Sequence, residues 1–291
     1  MAAVKKQAPP MKKDDKVEKI KSVIKEYPDL ELPSEKNVPS NNLSDYTFLI
    51  TGEEKIGKTT LTAQFGETLI FSFEKGTKSI PVYATDMITE WEMFLTYLQK
   101  LEDLPAKKRK YNFYCIDTGH AAYDRCLEYI CRRDQISHPG KVNDYGASWK
   151  EVIREFTMAH TRLSRLGGFL VISHERTRER KNRHGEKYDR IEPCFSETAE
   201  NFYKAIIDVV GYYSIFGGKR FLQIQPSEMI HAGHRVDGHF KTSGTHENVF
   251  RIPMADSAER GFRNIQKAFN NKQRKTYQEI EESTGAVRKA R

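Results

Sequence analysis

Residues Gly52-Glu53-Glu54-Lys55-Ile56-Gly57-Lys58-Thr59, with Thr60 behind them, match the spacing G-x-x-x-x-G-K-[ST] without a gap. The chemistry that needs these types is the holding of a nucleotide's phosphates. Backbone N–H groups of such a loop wrap the anion, and its glycines let the chain turn tightly and come close. Lys58 is then the cation that reaches the β- and γ-phosphates, and the Thr59 hydroxyl is a ligand for Mg²⁺. A helix opening at Lys58 would point its partly positive N-terminus at the same anion. Glu53 and Glu54 are unexpected in an anion-binding loop; they must point away from the phosphates, balanced by Lys55.

Three further side chains stand at the ends of apolar runs. Asp117 closes Phe113-Tyr114-Cys115-Ile116. A carboxylate at the carboxyl end of a central strand sits beside the phosphate loop in open α/β sheets, where it can orient Mg²⁺ directly or through water. Glu74 follows Phe71-Ser72-Phe73. On a strand parallel to the first it would emerge on the phosphate face and orient or deprotonate an attacking water; otherwise it is a solvated loop glutamate. His174 follows Ser173 and could either sense a γ-phosphate or cap its strand.

These side chains need a scaffold that brings strand ends together. The sequence predicts strands over about 46–51, 68–73, 111–117 and 168–173, with further strands at about 206–216 and 219–226. Helices are predicted at about 58–65, 89–101, 119–133 and 148–166. Strands alternating with helices indicate a mostly parallel sheet covered on both faces. Residues 1–45 carry nine Lys/Arg and eight Asp/Glu, with one short helix expected around Val17, Ile20, Val23, Ile24 and Tyr27. Residues 251–291 carry ten Lys/Arg against five Asp/Glu. Phe262, Ile265, Phe269, Tyr277 and Ile280 there suggest a basic amphipathic helix, either packed on the core or touching nucleic acid. The expected division is thus a charged extension over 1–45, a core over 46–250 and a basic helix and tail over 251–291.

The net charge of +8 suits a polyanionic partner without requiring one. The amino-terminal MAAVKKQAPPMKKDD lacks the apolar segment of a secretory signal, and no run of about 18 apolar residues offers a membrane span. Cys115, Cys126, Cys131 and Cys194 form no C-x-x-C pair, so free thiols and a cytoplasmic setting are expected. His231, His234, His239 and His246 lie close in sequence, but no cysteine flanks them and they read as surface or packing residues rather than a zinc site.

The order of these pieces resembles the RecA-like ATPase core, and within it the phage-encoded Sak-type proteins of single-strand annealing and recombination. The resemblance covers about 46–240 and includes TGEEKIGKTTL, LIFSFEKGTKS, ITEWEMFLTYL, YNFYCIDTGHAAYDRC, YGASWKEV, RLSRLGGFLVISHE and DVVGYYSIFGGKRFLQIQPSE. It implies an α/β fold, a RecA-like P-loop NTPase core with charged extensions, that binds and hydrolyses ATP with Mg²⁺. It gives Glu74 the role of catalytic base and Asp117 a place beside the metal. Where recombinases usually place a glutamine this chain has His174. The family's two DNA-binding loops fall at about 132–147 and 175–198. The first offers Arg132, Arg133 and Lys141. The second offers Arg176, Arg178, Arg180, Lys181, Arg183, Lys187, Tyr188 and Arg190, a composition that suits a flexible loop gripping single-stranded DNA through phosphate contacts and stacking. The family also implies a homo-oligomer, with Lys219 and Arg220 as candidates to complete a neighbour's site, and a possible single-strand-binding protein as partner. The rivals are a P-loop kinase, a helicase-like motor, and a DNA-binding module that keeps ATP as a structural ligand.

Overall fold

The computed structural model describes residues 31–277. The helix expected around Val17–Tyr27, and Ile280, lie outside the described residues. In chain order the elements are β1 (Thr47–Gly52), α1 (Lys58–Thr62), β2 (Thr68–Ser72), β3 (Tyr83–Ala84), α2 (Trp91–Asp103), β4 (Phe113–Asp117), α3 (Gly119–Arg133) and α4 (Ala147–Ser164). They continue with β5 (Gly168–Lys181), β6 (Lys187–Pro193), α5 (Glu197–Ile206), β7 (Val209–Phe216), β8 (Lys219–Gln223), β9 (Gly233–His234), β10 (Arg251–Pro253) and α6 (Ala258–Phe269). Residues 39–277 belong to one compact unit, and 31–38 belong with the amino-terminal segment.

The main sheet runs β10-β8-β7-β1-β5-β4-β2-β3. The six strands from β7 to β3 are parallel, and β8 and β10 add antiparallel at one edge. Both faces are buried, which is why the strands read as unbroken apolar runs rather than alternating ones. Leu49, Phe71, Tyr114, Ile116, Phe169 and Val171 pack against α2, α3, α4 and α5. Their neighbours Phe48, Ile50, Ile70, Cys115, Leu170 and Ile172 face the other way, toward Leu61 of α1 and Ile265, Ala268 and Phe269 of α6. The amphipathic helix expected near the carboxyl end is therefore a packing helix. It lies beyond position 250, where the charge balance shifts, yet β10 and α6 both join the core. Tyr277 falls after α6, with its ring beside Phe221.

Two stretches differ from expectation. The segment 175–198 is not a flexible loop. β5 runs on to Lys181, turns, and returns as β6 in a seven-rung antiparallel ladder from Glu175↔Pro193 to Lys181↔Lys187. The strand expected from about 206 begins at Val209, because α5 occupies 197–206. Its Ser196 cap accepts from the Ala199 N–H, and Ala199 and Tyr203 are buried on one face.

His160 of α4 is fully buried among Trp91, Phe94, Phe156, Phe169, Phe202 and Tyr203. Its Nδ1–H donates to the Phe156 carbonyl at 2.9 Å, and the Tyr203 hydroxyl donates to Nε2 at 3.2 Å. Burial holds this imidazole neutral, its pKa pushed down to about 4. In the unfolded chain it titrates near about 6.5, so the unfolded state takes up the proton first. Stability is full above that pH and is lost as the pH falls toward 4, by on the order of 3 kcal/mol. The expected outcome is that His160→Phe flattens the dependence of the melting temperature on pH between those values, measured by calorimetry beside the unaltered protein.

Candidate functional site

At the carboxyl edge of the sheet, β1 delivers the chain into the phosphate loop with no room for a side chain at Gly52, where an added Cβ would meet the Tyr213 carbonyl oxygen at 2.3 Å. The loop closes at Gly57, whose φ of 106° lies in the left-handed region. Ile56 between them is buried in the core and pins the loop. The side chains of Glu53, Glu54 and Lys55 are exposed; Glu54 and Lys55 stand on the rim of the cavity described below, with Thr60. Lys58 is buried, and its Nζ donates to the carbonyls of Gly52 at 2.8 Å and Glu53 at 2.6 Å. Burial pulls its pKa down, against the favourable charge of Asp117. Phosphate oxygens are stronger acceptors than these carbonyls.

Asp117 ends β4, three strands from β7 across the sheet, and is 5% exposed. Its Oδ2 accepts from the Thr59 hydroxyl at 2.9 Å. Burial, joined by the charge of Glu74, raises its carboxyl to about 6, although the Thr59 bond and Lys58 pull the other way. A buried carboxylate beside a hydroxyl is a pair of hard oxygen donors, and this donor chemistry fits Mg²⁺. These two residues would hold it.

Glu74 lies just beyond β2, which pairs with β4 in parallel so that Ser72 stands opposite Asp117. The Glu74 carboxylate is gripped from three sides. Thr118 Oγ1 donates to Oε1 at 2.8 Å, His120 Nε2 is 3.2 Å from Oε1, and His174 Nε2 is 3.2 Å from Oε2. His120, then Thr118 and His174, hold its carboxyl down at about 2 against the burial that would raise it. His174 reaches it because β5 lies between β1 and β4, with Gly52 opposite His174 and Asp117 opposite Ile172. Lys58, Thr59, Glu74, Asp117, Thr118, His120 and His174 line one cavity of about 580 Å³.

Thr118 and His120 were not legible as site residues. The available signal is position: both directly follow the strand-end Asp117, in the cap and first turn of α3. The four carboxyl-terminal histidines do not assemble. His239 stacks on Phe269 at 3.8 Å, and His234 meets Gln225.

The basic residues expected to grip DNA divide. Arg176, Arg178 and Arg180 alternate along β5 and so share one face. Arg180 forks onto Glu192 at 2.8 and 2.7 Å, Arg176 reaches Glu200 at 3.1 Å, and Arg178 lies 3.7 to 3.9 Å from both. Glu192 and Glu200 are buried. Lys187 pairs with Glu179, Arg132 with Glu92, and Arg133 with Asp134 and Glu151. Lys141, Lys181 and Arg183 make no ion pair among the described residues. Tyr188 and Arg190 stand opposite Arg180 and Arg178 on the hairpin. Lys219 and Arg220 are exposed beside the turn joining β7 to β8.

A family model described as an AAA domain matches residues 44–236, which contain every residue of the cavity. No curated protein matches the chain. The site's first test is direct. Lys58→Ala should weaken binding of a fluorescent ATP analogue with Mg²⁺ by about 10- to 100-fold, the worth of a charge-assisted contact, with the far-ultraviolet circular dichroism unchanged. Unaltered affinity would remove the lysine from the phosphate site.

Proposed function

The chain belongs to the AAA domain family, which points to nucleotide binding and ATPase activity, and from that premise we propose a RecA-like, Mg²⁺-dependent ATPase that binds single-stranded DNA. The observation that carries the ATPase reading is the convergence of Lys58, Thr59, Glu74 and Asp117, distant in sequence, on one cavity. In this reading the loop amides and Lys58 bind the phosphates, and Thr59 with Asp117 holds Mg²⁺. The ion, when bound, neutralises charge that develops on the phosphoryl oxygens. Glu74 orients the attacking water. A carboxylate held at about 2 is a weak base, so positioning outweighs proton abstraction in its contribution. Thr118, His120 and His174 fix its direction.

Support for the DNA part of the proposal is the hairpin that rises directly beyond His174. One of its faces carries Arg176, Arg178, Arg180, Tyr188 and Arg190, and Lys181 and Arg183 lie at or beside its turn. Arg176, Arg178 and Arg180 meet the two buried carboxylates Glu192 and Glu200, and with Arg190 on the same face the balance leaves positive charge for a phosphate backbone. Together with the resemblance to Sak-type proteins, this supports DNA annealing or recombination as the purpose of turnover. The exposed Lys219 and Arg220 support a homo-oligomer in which they reach a neighbour's nucleotide.

ATP turnover measured with and without single-stranded DNA tests the whole reading. Glu74→Gln should lower the rate by about 10²-fold or more while nucleotide binding persists. DNA should raise the rate of the unaltered protein, and the stimulation should fade steeply with salt. Lys181→Glu combined with Arg183→Glu should reduce DNA affinity and its salt slope without changing turnover in the absence of DNA. Turnover indifferent to DNA at every salt concentration would strike out the DNA partner, and a silent Glu74→Gln would strike out the water-positioning role.

A further inference from the structure

Beside the oxygen pair of Thr59 and Asp117 lies a group of different character. Two imidazole nitrogens and one carboxylate converge, with Glu74 Oε1 3.2 Å from His120 Nε2 and Oε2 3.2 Å from His174 Nε2. One ligand atom from each of the three residues lies within 4.8 Å of the others, and no further group of three or more such side chains comes together among the described residues. Bonds of about 2.0–2.2 Å in a tetrahedral site put neighbouring donors about 3.3 Å apart, close to each glutamate–histidine separation, with the two histidines facing different oxygens of the carboxylate.

Counting protons sharpens the point. Thr118 Oγ1 contacts Glu74 Oε1 at 2.8 Å and His120 Nδ1 at 3.0 Å, and His120 Nε2 contacts the same Oε1. Three contacts around this triangle need three protons. A threonine hydroxyl and a neutral imidazole supply two. If the hydroxyl proton lies on Glu74 and the only imidazole proton on Thr118, the His120 Nε2 lone pair faces a carboxylate oxygen. Either a second proton on the imidazole or a metal cation between the two atoms completes the triangle. A histidine whose far N–H is fixed by an acceptor is also how metal-bound imidazoles are oriented.

We propose that Glu74, His120 and His174 form a second cation site, distinct from Thr59 and Asp117, that takes a transition-metal ion of the Zn²⁺ class. Two nitrogens and one oxygen select such ions over Mg²⁺. Three protein ligands leave a fourth position open to the cavity that all three line. The two histidines are unequal partners. His174 Nδ1 is buried without a partner, so a metal at its Nε2 places an unsatisfied N–H there. His120 is the stronger ligand. The consequence for turnover rests on the function proposed above: an ion on Glu74 withdraws the carboxylate from the water and slows ATP hydrolysis.

Full-length protein, stripped with chelator and held in excess Mg²⁺ without nucleotide, is titrated with Zn²⁺ by calorimetry and with Co²⁺ by visible absorption. The expected result is one Zn²⁺ equivalent and a Co²⁺ ligand-field band, both weakened at least about tenfold in His120→Gln, less in His174→Gln, and unchanged in His184→Ala. Thr118→Val should weaken binding while leaving all three ligands in place, and melting temperatures establish that each variant folds. An absent equivalent in the unaltered protein, or equal affinity in both glutamine variants and the parent, overturns the site. If Zn²⁺ binds as expected yet leaves turnover untouched, the site stands and the role given to Glu74 falls. If Zn²⁺ does not bind but Glu74→Gln abolishes turnover, the role stands and the site falls.

Discussion

A sheet buried on both faces can present polar side chains only where its strands stop. That constraint organises this molecule. The apolar side chains along β1, β2, β4 and the first half of β5 belong to one of two apolar layers, and a charge among them would be desolvated without a partner. Because these strands are parallel, their last residues share one edge. Gly52, Asp117 and His174, with Glu74 just past β2, are the first positions at which each strand is released from the core. The site is the set of those releases, and the cavity forms where the loops leaving them diverge.

The same geometry explains what could be read from the sequence. An apolar run gives the strand, its final polar residue gives the edge, and parallel order places several such residues together. The phosphate loop, Glu74, Asp117 and His174 were legible for that reason. His120 was not, because it belongs to the first turn of α3 rather than to a strand end, and only the folded chain turns it toward Glu74. The hairpin was hidden by its own charge. Its seven basic residues between positions 175 and 190 suggested a flexible DNA-gripping loop, whereas the alternation of Arg176, Arg178 and Arg180 is the period-two signature of a strand. Their counterions were out of sight: Glu192 lies on the returning strand and Glu200 on α5.

Those buried carboxylates anchor the hairpin's arginines. Burial pushes the Glu192 carboxyl up, but the forked bond from Arg180 and the charges of Arg180 and Arg178 outweigh it, and the net shift is downward. Glu200 is shared by Arg176, Arg178 and Lys204. Breaking one side of such a pair leaves an uncompensated charge indoors, so the arginines are held in place more firmly than surface lysines would be. The Cys194 N–H donates to the His174 carbonyl at 2.8 Å and to Ser173 Oγ at 3.0 Å, which ties the return of the hairpin to the strand end in the site. β5 is thus one continuous element from the cavity to the hairpin turn.

Two carboxylates within this one cavity are driven in opposite directions. Asp117 is raised to about 6 by burial, while Glu74 is held at about 2 chiefly by His120. Paired acids separated in this way take different roles. Asp117 gains most from a cation, because ionising it alone inside the protein is costly, and the Thr59 hydroxyl at 2.9 Å supplies an adjacent oxygen. Glu74 is ionised because the contacts from His120, Thr118 and His174 stabilise its charge against burial. The negative charge of Glu74 itself contributes to raising Asp117, so the two cannot be altered independently. Placing a positive ion on either carboxylate lowers the electrostatic cost of ionising the other, and the division of labour at this edge follows from which of them it meets first.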